Sequence, residues 1–211
     1  SFITYEEILE MSSLGSKVLH PRSVELAMKY GITVHVKSSF VSRDGTMVLN
    51  EEKKLEKEVV TGIASSENDA KITLKGIPDR PGIAAKIFGL LANSKINVDM
   101  IVQNVTDDGK LASITFTVPL EDSQRAVEKL KSSKIKFKNL HLDKRICKVS
   151  IIGVGMKSNV GVAQKMFETL AKKNINIQVI STSEIKISVL IDLPMKRKAL
   201  NALHDAYKLG K

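Results

Sequence analysis

The chain has 211 residues, 43% hydrophobic and 27% charged, which excludes a disordered chain and supplies enough apolar material for one or two packed domains. Its net charge of +10 comes from 33 Lys and Arg against 23 Asp and Glu, but the cations are mostly lysines spread singly, so charge alone does not assign a nucleic-acid partner. No apolar run reaches about 18 residues, which excludes a membrane-spanning helix, and the single cysteine, Cys147, excludes an intrachain disulfide and a multi-cysteine metal site.

The opening SFITYEEILEM lacks the basic-then-apolar layout of a secretory leader, so a cytoplasmic location is expected. Residues 3–30 read as two helices. Thr4 and Glu7 have capping-box spacing, Pro21 suits a helix start, and Gly31 suits a helix end. Residues 33–40 alternate like a strand, and 42–58, polar with an Asp44-Gly45 turn signal, read as a linker. A short β-branched strand follows at 59–65.

The remainder is a repeat. Gly82, Lys86, Phe88, Leu91, Ile96 and Asn97 recur as Gly161, Lys165, Phe167, Leu170, Ile175 and Asn176, all at an offset of 79 residues. Gly76 and Gly153 are offset by 77, so the second loop is two residues longer. In the first copy we expect strands at 72–76, 97–104, 112–118 and 135–142, a helix face of Ile83, Ile87, Leu90 and Leu91, a hairpin turn at Asp107-Asp108-Gly109, and a second helix from Asp122. This is the βαββαβ order of a ferredoxin-like unit. The lysine-rich stretch 131–148 reads as a solvated strand and linker, and Cys147 as an inert strand thiol.

In the second copy we expect strands at 149–153, 176–182 and 186–192 and helices at 160–173 and 195–209. It lacks a fourth strand, and the one at 59–65 can supply it. The second unit is therefore discontinuous, with the first inserted into it. The fold class is α+β, two βαββαβ units preceded by a short helical segment.

The loop GIPDRPGIAAKIF carries the chemistry. Pro81 suits the first helical turn, leaving the N–H groups of Gly82, Ile83 and Ala84 as an anion receptor. Asp79 either caps that helix or accepts a ligand ammonium group. An anion site beside a carboxylate suits a free amino acid, although Asp-x-Pro-Gly is also an ordinary turn and cap. Neither phosphate-loop nor dinucleotide spacing is present. His20, His35, His141 and His204 are too scattered for a metal site. No nucleophile–base–orienter grouping is evident, so no catalytic residue is expected.

The stretches GIPDRPGIAAKIF…INVDMIVQN and GVGMKSNVGVAQKMFETLAKKNINIQVISTSEIKISVLID resemble the first and second ACT domains of the aspartokinase family. LGSKVLHPRSVELAMKYGITVHVKSSF resembles the end of that family's kinase domain. The resemblance covers nearly the whole chain, and ISTSEIKISVLI and KVLHPRSVELA are its specific parts. It implies a kinase-domain remnant and linker at 1–50, a first ACT domain at 69–143, and a second built from 58–68 and 144–211. The Lys-Phe-Gly-Gly-Thr type of opening motif is absent. The resemblance thus implies a piece of a longer protein, inactive alone, with ATP and magnesium bound by the catalytic part and no cofactor here.

Members of the family phosphorylate aspartate with ATP and are inhibited by lysine, threonine or both. They pair as dimers through their ACT domains. Matched by position, the resemblance implies an effector site of Asp79, Gly82, Ala84 and Gln103, joined by Asn176 and Ile177. A second site would use Met156, Lys157, Ser158, Val160, Ser183 and Glu184, with Glu184 facing a lysine side chain. Blander readings stand beside these: Asn176 as a turn residue, Gln103 as a solvated strand residue, Ser183-Glu184 as a hairpin turn. Met156 stands where the first loop has Asp79, so the two loops are not expected to bind alike. An RNA-binding βαββαβ module would need aromatics in its central strands, and IVQNVT and SITFTV offer only Phe116. A metal carrier would need Cys-x-x-Cys. A dimerisation scaffold without ligand is the remaining alternative.

Overall fold

The computed structural model describes residues 1–50 and 59–210. Most of the charged part of the expected linker, and residue 58 at the edge of the second unit, lie outside the described residues. By packing, the chain divides into two units, Ser1–Ser66 with Lys148–Lys211, and Glu67–Cys147.

The first unit opens with β1 (Phe2–Thr4), α1 (Tyr5–Ser13), α2 (Pro21–Lys29), β2 (Val34–Val36) and β3 (Thr46–Leu49). Both expected helices form. Thr4 and Glu7 make the full capping box on α1, and Pro21 starts α2 with Tyr30 as its cap and Gly31 beyond it at φ 63°. A small sheet joins them that the sequence pattern does not announce. β3, inside the stretch read as linker, pairs parallel with β1 and antiparallel with β2. Its apolar run is only MVL, too short to show a period, yet Val48 is buried among Ile3, Ile8 and Val24.

The rest of this unit is β4 (Gly62–Ser66), β9 (Ile146–Ile152), α5 (Val162–Lys172), β10 (Val179–Thr182), β11 (Lys186–Asp192) and α6 (Lys196–Tyr207). Sheet order is β10-β11-β9-β4. Strand β4 pairs antiparallel with β9, Gly62 opposite Ile152 through Ser66 opposite Lys148, so it supplies the missing fourth strand. Every residue of β9 is buried, the mark of a strand covered on both faces. Ile152 packs with Leu14, Ala64 and Met11, which brings the end of α1 against the sheet. Ile146 to Lys148, the end of the stretch read as a solvated strand and linker, belong to this buried central strand, where Cys147 is the expected strand thiol.

The second unit holds β5 (Asp69–Pro78), α3 (Ile83–Asn93), β6 (Ile101–Val105), β7 (Leu111–Pro119), α4 (Ser123–Ser132) and β8 (Asn139–Asp143), with sheet order β6-β7-β5-β8. Burial alternates along β5, and Ile72, Leu74, Ile114 and Phe116 meet Ile87 and Leu91 of α3 and Leu130 of α4. Phe88 meets Phe116 edge to face, with ring centroids 5.4 Å apart. Phe116 is fully buried, so the aromatic on β7 is not available to a stacking surface.

The expected strands at 97–104 and 176–182 start later than their pattern suggests, at Ile101 and Val179. Their leading residues still pair, but irregularly. The Thr117 hydroxyl takes the Met100 N–H at 3.2 Å, and Gln178 N–H donates to Leu190 O at 2.8 Å.

The repeat is exact at the helix ends. Lys95 and Asn174 have φ 55° and 54°. Ile96 N–H donates to Leu91 O, and Ile175 N–H to Leu170 O, both at 3.0 Å. Each is a left-handed C-terminal stop closed by a back-reaching bond.

Candidate effector site

The turn into α3 sets the first loop. Gly82, not Pro81, is the N-cap, at φ 86° and ψ −4°. Pro81 therefore sits outside the helix rather than in its first turn. A left-handed cap favours glycine because of φ alone, since a Cβ here would meet nothing within 4 Å. The first intrahelical bond is Lys86 N–H to Gly82 O at 3.1 Å. Ile83 N–H, expected to be open, donates to Arg80 O at 3.2 Å. Among the described residues no backbone acceptor meets the N–H groups of Ala84 and Ala85, so these are open donors of the first turn.

Asp79 does not cap α3, which has no side-chain cap. It is placed by β5, its own N–H bonding to Lys110 O at 2.9 Å. Its Oδ1 accepts from the Gln103 Nε2 of β6 at 3.4 Å. That bond is long, and a carboxylate has room for further donors. Asp79 is half-buried and Gln103 exposed. The structure thus brings Asp79, Gly82, Ala84 and Gln103 to one end of one unit. A groove of about 430 Å³ toward the C-terminal end of α3, lined by Phe88, Ala92, Lys95, Ile96, Asn97, Val98 and Ile101, includes neither Asp79 nor Gln103.

The second loop repeats the backbone and changes the side chains. Gly161 caps α5 at φ 83° and ψ −1°. The expected helix start at Val160 is thus two residues early, and Val160 is fully exposed. Val154–Ser158 forms a 3-10 turn, with Met156 N–H to Gly153 O at 3.1 Å and Ser158 Oγ to Gly155 O at 3.4 Å. Ser183 and Glu184 lie in the turn between β10 and β11, closed by Ser183 N–H to Lys186 O at 2.8 Å. Lys157 Nζ lies 3.9 Å from Glu184 and 3.6 Å from Glu6 of α1. The carboxylate matched to a ligand's lysine therefore faces a lysine of its own chain. Asn176 and Ile177 precede β10, in this unit and not in that of Asp79.

Sequence reasoning missed Glu7 as more than a cap. It is fully buried, and its Oε1 accepts from Val154 N–H at 3.0 Å and from the Thr61 hydroxyl. The capping-box spacing was the only signal it gave. Among the described residues no cluster of His, Cys, Asp or Glu could hold a metal ion, and no helix is long and apolar enough to cross a membrane.

Comparison with known proteins identifies both repeat units. ACT domain models match residues 72–134 and 149–207. An aspartate kinase of Stutzerimonas stutzeri is 48% identical over 210 residues, covering 98% of this chain and 51% of the relative. The chain spans about half the length of the curated relatives it matches. A crystal structure of aspartokinase alpha and beta subunits aligns with TM-score 0.67 and 47% identity, covering 71% of this chain and 99% of that one. The ligand-free regulatory subunit of aspartate kinase from Thermus thermophilus aligns with TM-score 0.66 and 43% identity, covering 70% and 98%. With two ACT units, an inserted topology and near-complete coverage of such subunits, the chain belongs to the aspartokinase family and carries its regulatory region.

Proposed function

We propose that this chain is the amino-acid-sensing part of an aspartokinase. Free lysine and/or threonine binds at the first loop and restrains ATP-dependent phosphorylation of aspartate by the catalytic part. The observation that carries the reading is the pairing of opposite receptors at one loop: the Asp79 carboxylate with Gln103 Nε2 at 3.4 Å, beside a first helical turn with open N–H groups. A zwitterion matches both. Its ammonium goes to Asp79 and its carboxylate to the turn at Gly82 and Ala84. Gln103 reads the side chain with an amide that both donates and accepts.

Asn176 and Ile177 enter through a second copy of the chain, in keeping with the ACT-paired dimers of the family. The second loop, with Met156, Lys157, Ser158, Val160, Ser183 and Glu184, is the weaker candidate. An incoming lysine there must displace Lys157 from Glu184. ATP and magnesium are assigned to the catalytic part, and the setting is cytoplasmic. Control requires a ligand that binds one arrangement of the enzyme better than the other.

Thermal unfolding of this chain against the free amino acids tests the reading. A ligand at about 100 times its Kd adds roughly 2.7 kcal/mol to the folded state. Stabilisation by lysine or threonine, abolished by Gln103→Ala, is the expected result. No shift with any amino acid overturns the sensor reading and leaves a ligand-free dimerisation scaffold.

A further inference from the structure

Helix α1 presents three glutamates to the unit built on β4, β9 and β11. Glu6 Oε2 lies 3.6 Å from Lys157 Nζ in the second loop. Glu10 Oε2 lies 3.0 Å from Lys186 Nζ at the start of β11. Between them Glu7 is buried and holds two places at once. Its Oε2 accepts from Thr4 N–H at 2.9 Å, at the head of α1. Its Oε1 accepts from Val154 N–H at 3.0 Å, the residue that opens the second loop, and from the Thr61 hydroxyl just ahead of β4. The two ion pairs are partly exposed, and such pairs contribute little. The buried carboxylate is different in kind, because its charge sits out of water and takes donors from both of the segments it joins. Neither segment can move away without leaving those donors or that charge unsatisfied.

We propose that Glu7 is a coupling residue that makes α1 and the loop Val154–Ser158 move as one body. A shift of the second ACT unit is thereby delivered to α1. This rests on the sensor reading above for its purpose, but not for its physical content. It also gives the second loop a role that needs no ligand: its Lys157 and its Val154 N–H are held by α1, so the loop serves as a transmission contact.

Hydrogen exchange on the full 211-residue chain tests this, comparing wild type with Glu7→Gln, with and without saturating free lysine or threonine. Without ligand, we expect amides of Val154–Ser158 and of α1 to exchange together, at least about tenfold faster in the variant, while β7 amides such as Ile114 stay protected. With ligand, wild type changes exchange in α1 and the variant does not, although calorimetry gives both the same affinity. Faster exchange in the loop with α1 unchanged overturns the coupling, because the segments are then held independently. If Glu7→Gln fails to fold, Lys157→Met carries the same test with a smaller joint effect, and a loop-only response again overturns it. If wild type responds to no amino acid, the sensor reading fails, and the ligand-free comparison still decides the coupling.

Discussion

At Gly82 and Gly161 the chain makes the same turn into the same helix, at φ 86° and 83°, and the residues that follow bury the same face. Ile83, Ile87 and Leu91 in one helix answer Val162, Met166 and Leu170 in the other. The polar residues around the turn have gone separate ways. The first loop keeps a carboxylate, Asp79, that accepts a long bond from the Gln103 amide. The second has no carboxylate at Met156, and its cation, Lys157, sits between Glu6 and Glu184 of its own unit. A repeat thus preserves what the fold needs, the glycine conformation and the apolar spacing. It frees what the fold does not need, so the polar side chains of the two loops differ, and those of the second pair within their own chain.

The largest expected effects test the shared part. Ile87→Ala and Met166→Ala each remove a fully buried side chain at equivalent positions. Each should cost about 2–5 kcal/mol by denaturant unfolding, and a large inequality would break the equivalence of the two cores. Next comes the unshared part. Asp79→Ala should weaken binding of the effector by roughly 10- to 100-fold in calorimetry, the worth of about 1.5–3 kcal/mol for a charge-assisted bond. Replacing Met156, its counterpart, should leave affinity unchanged.

Smaller effects sharpen the turn itself. Gly82→Ala and Gly161→Ala meet no steric obstacle, only an unfavourable φ, so each should cost about 1 kcal/mol and no more. A larger loss at either would mean that its loop is crowded in solution. Smallest is a contact of the second repeat, where Tyr207 Oη donates to Val162 O at 2.8 Å in the first turn of α5. Tyr207→Phe should cost about 1 kcal/mol in thermal unfolding. Burial raises the Tyr207 phenol from 10.0 to about 12. A raised folded-state pKa stabilises below the unfolded value, so this contribution is present up to about pH 10 and is lost as pH rises toward 12. The phenylalanine variant should lack that alkaline loss.

Much of the fold was legible from local rules. The capping box at Thr4 and Glu7, Pro21 at the head of α2, the hairpin at Asp107–Gly109 and the apolar faces of α3 and α5 are all set by residues near one another in sequence. Even the insertion could be counted, since a βαββαβ unit ending after α6 lacks a strand and 59–65 offers one. What escaped was β3, whose three apolar residues show no period and gain their place only by pairing with β1 and β2. The late starts of β6 and β10 escaped as well; ahead of β6 the ladder opens through a Thr117 hydroxyl that no strand pattern encodes.

For the candidate site, the sequence by itself determined the turn and the residue types, a glycine that needs φ above zero beside an aspartate and ahead of an apolar helix. Only the tertiary structure decided that Asp79 meets Gln103 across 24 residues of chain rather than capping α3. It also decided that Glu7 reaches Val154 across 147. The physical reason is that caps and helix faces are satisfied within a turn of chain. A buried carboxylate or a strand-borne amide takes whatever donor or acceptor the packed sheet sets beside it, and sequence distance does not enter that choice.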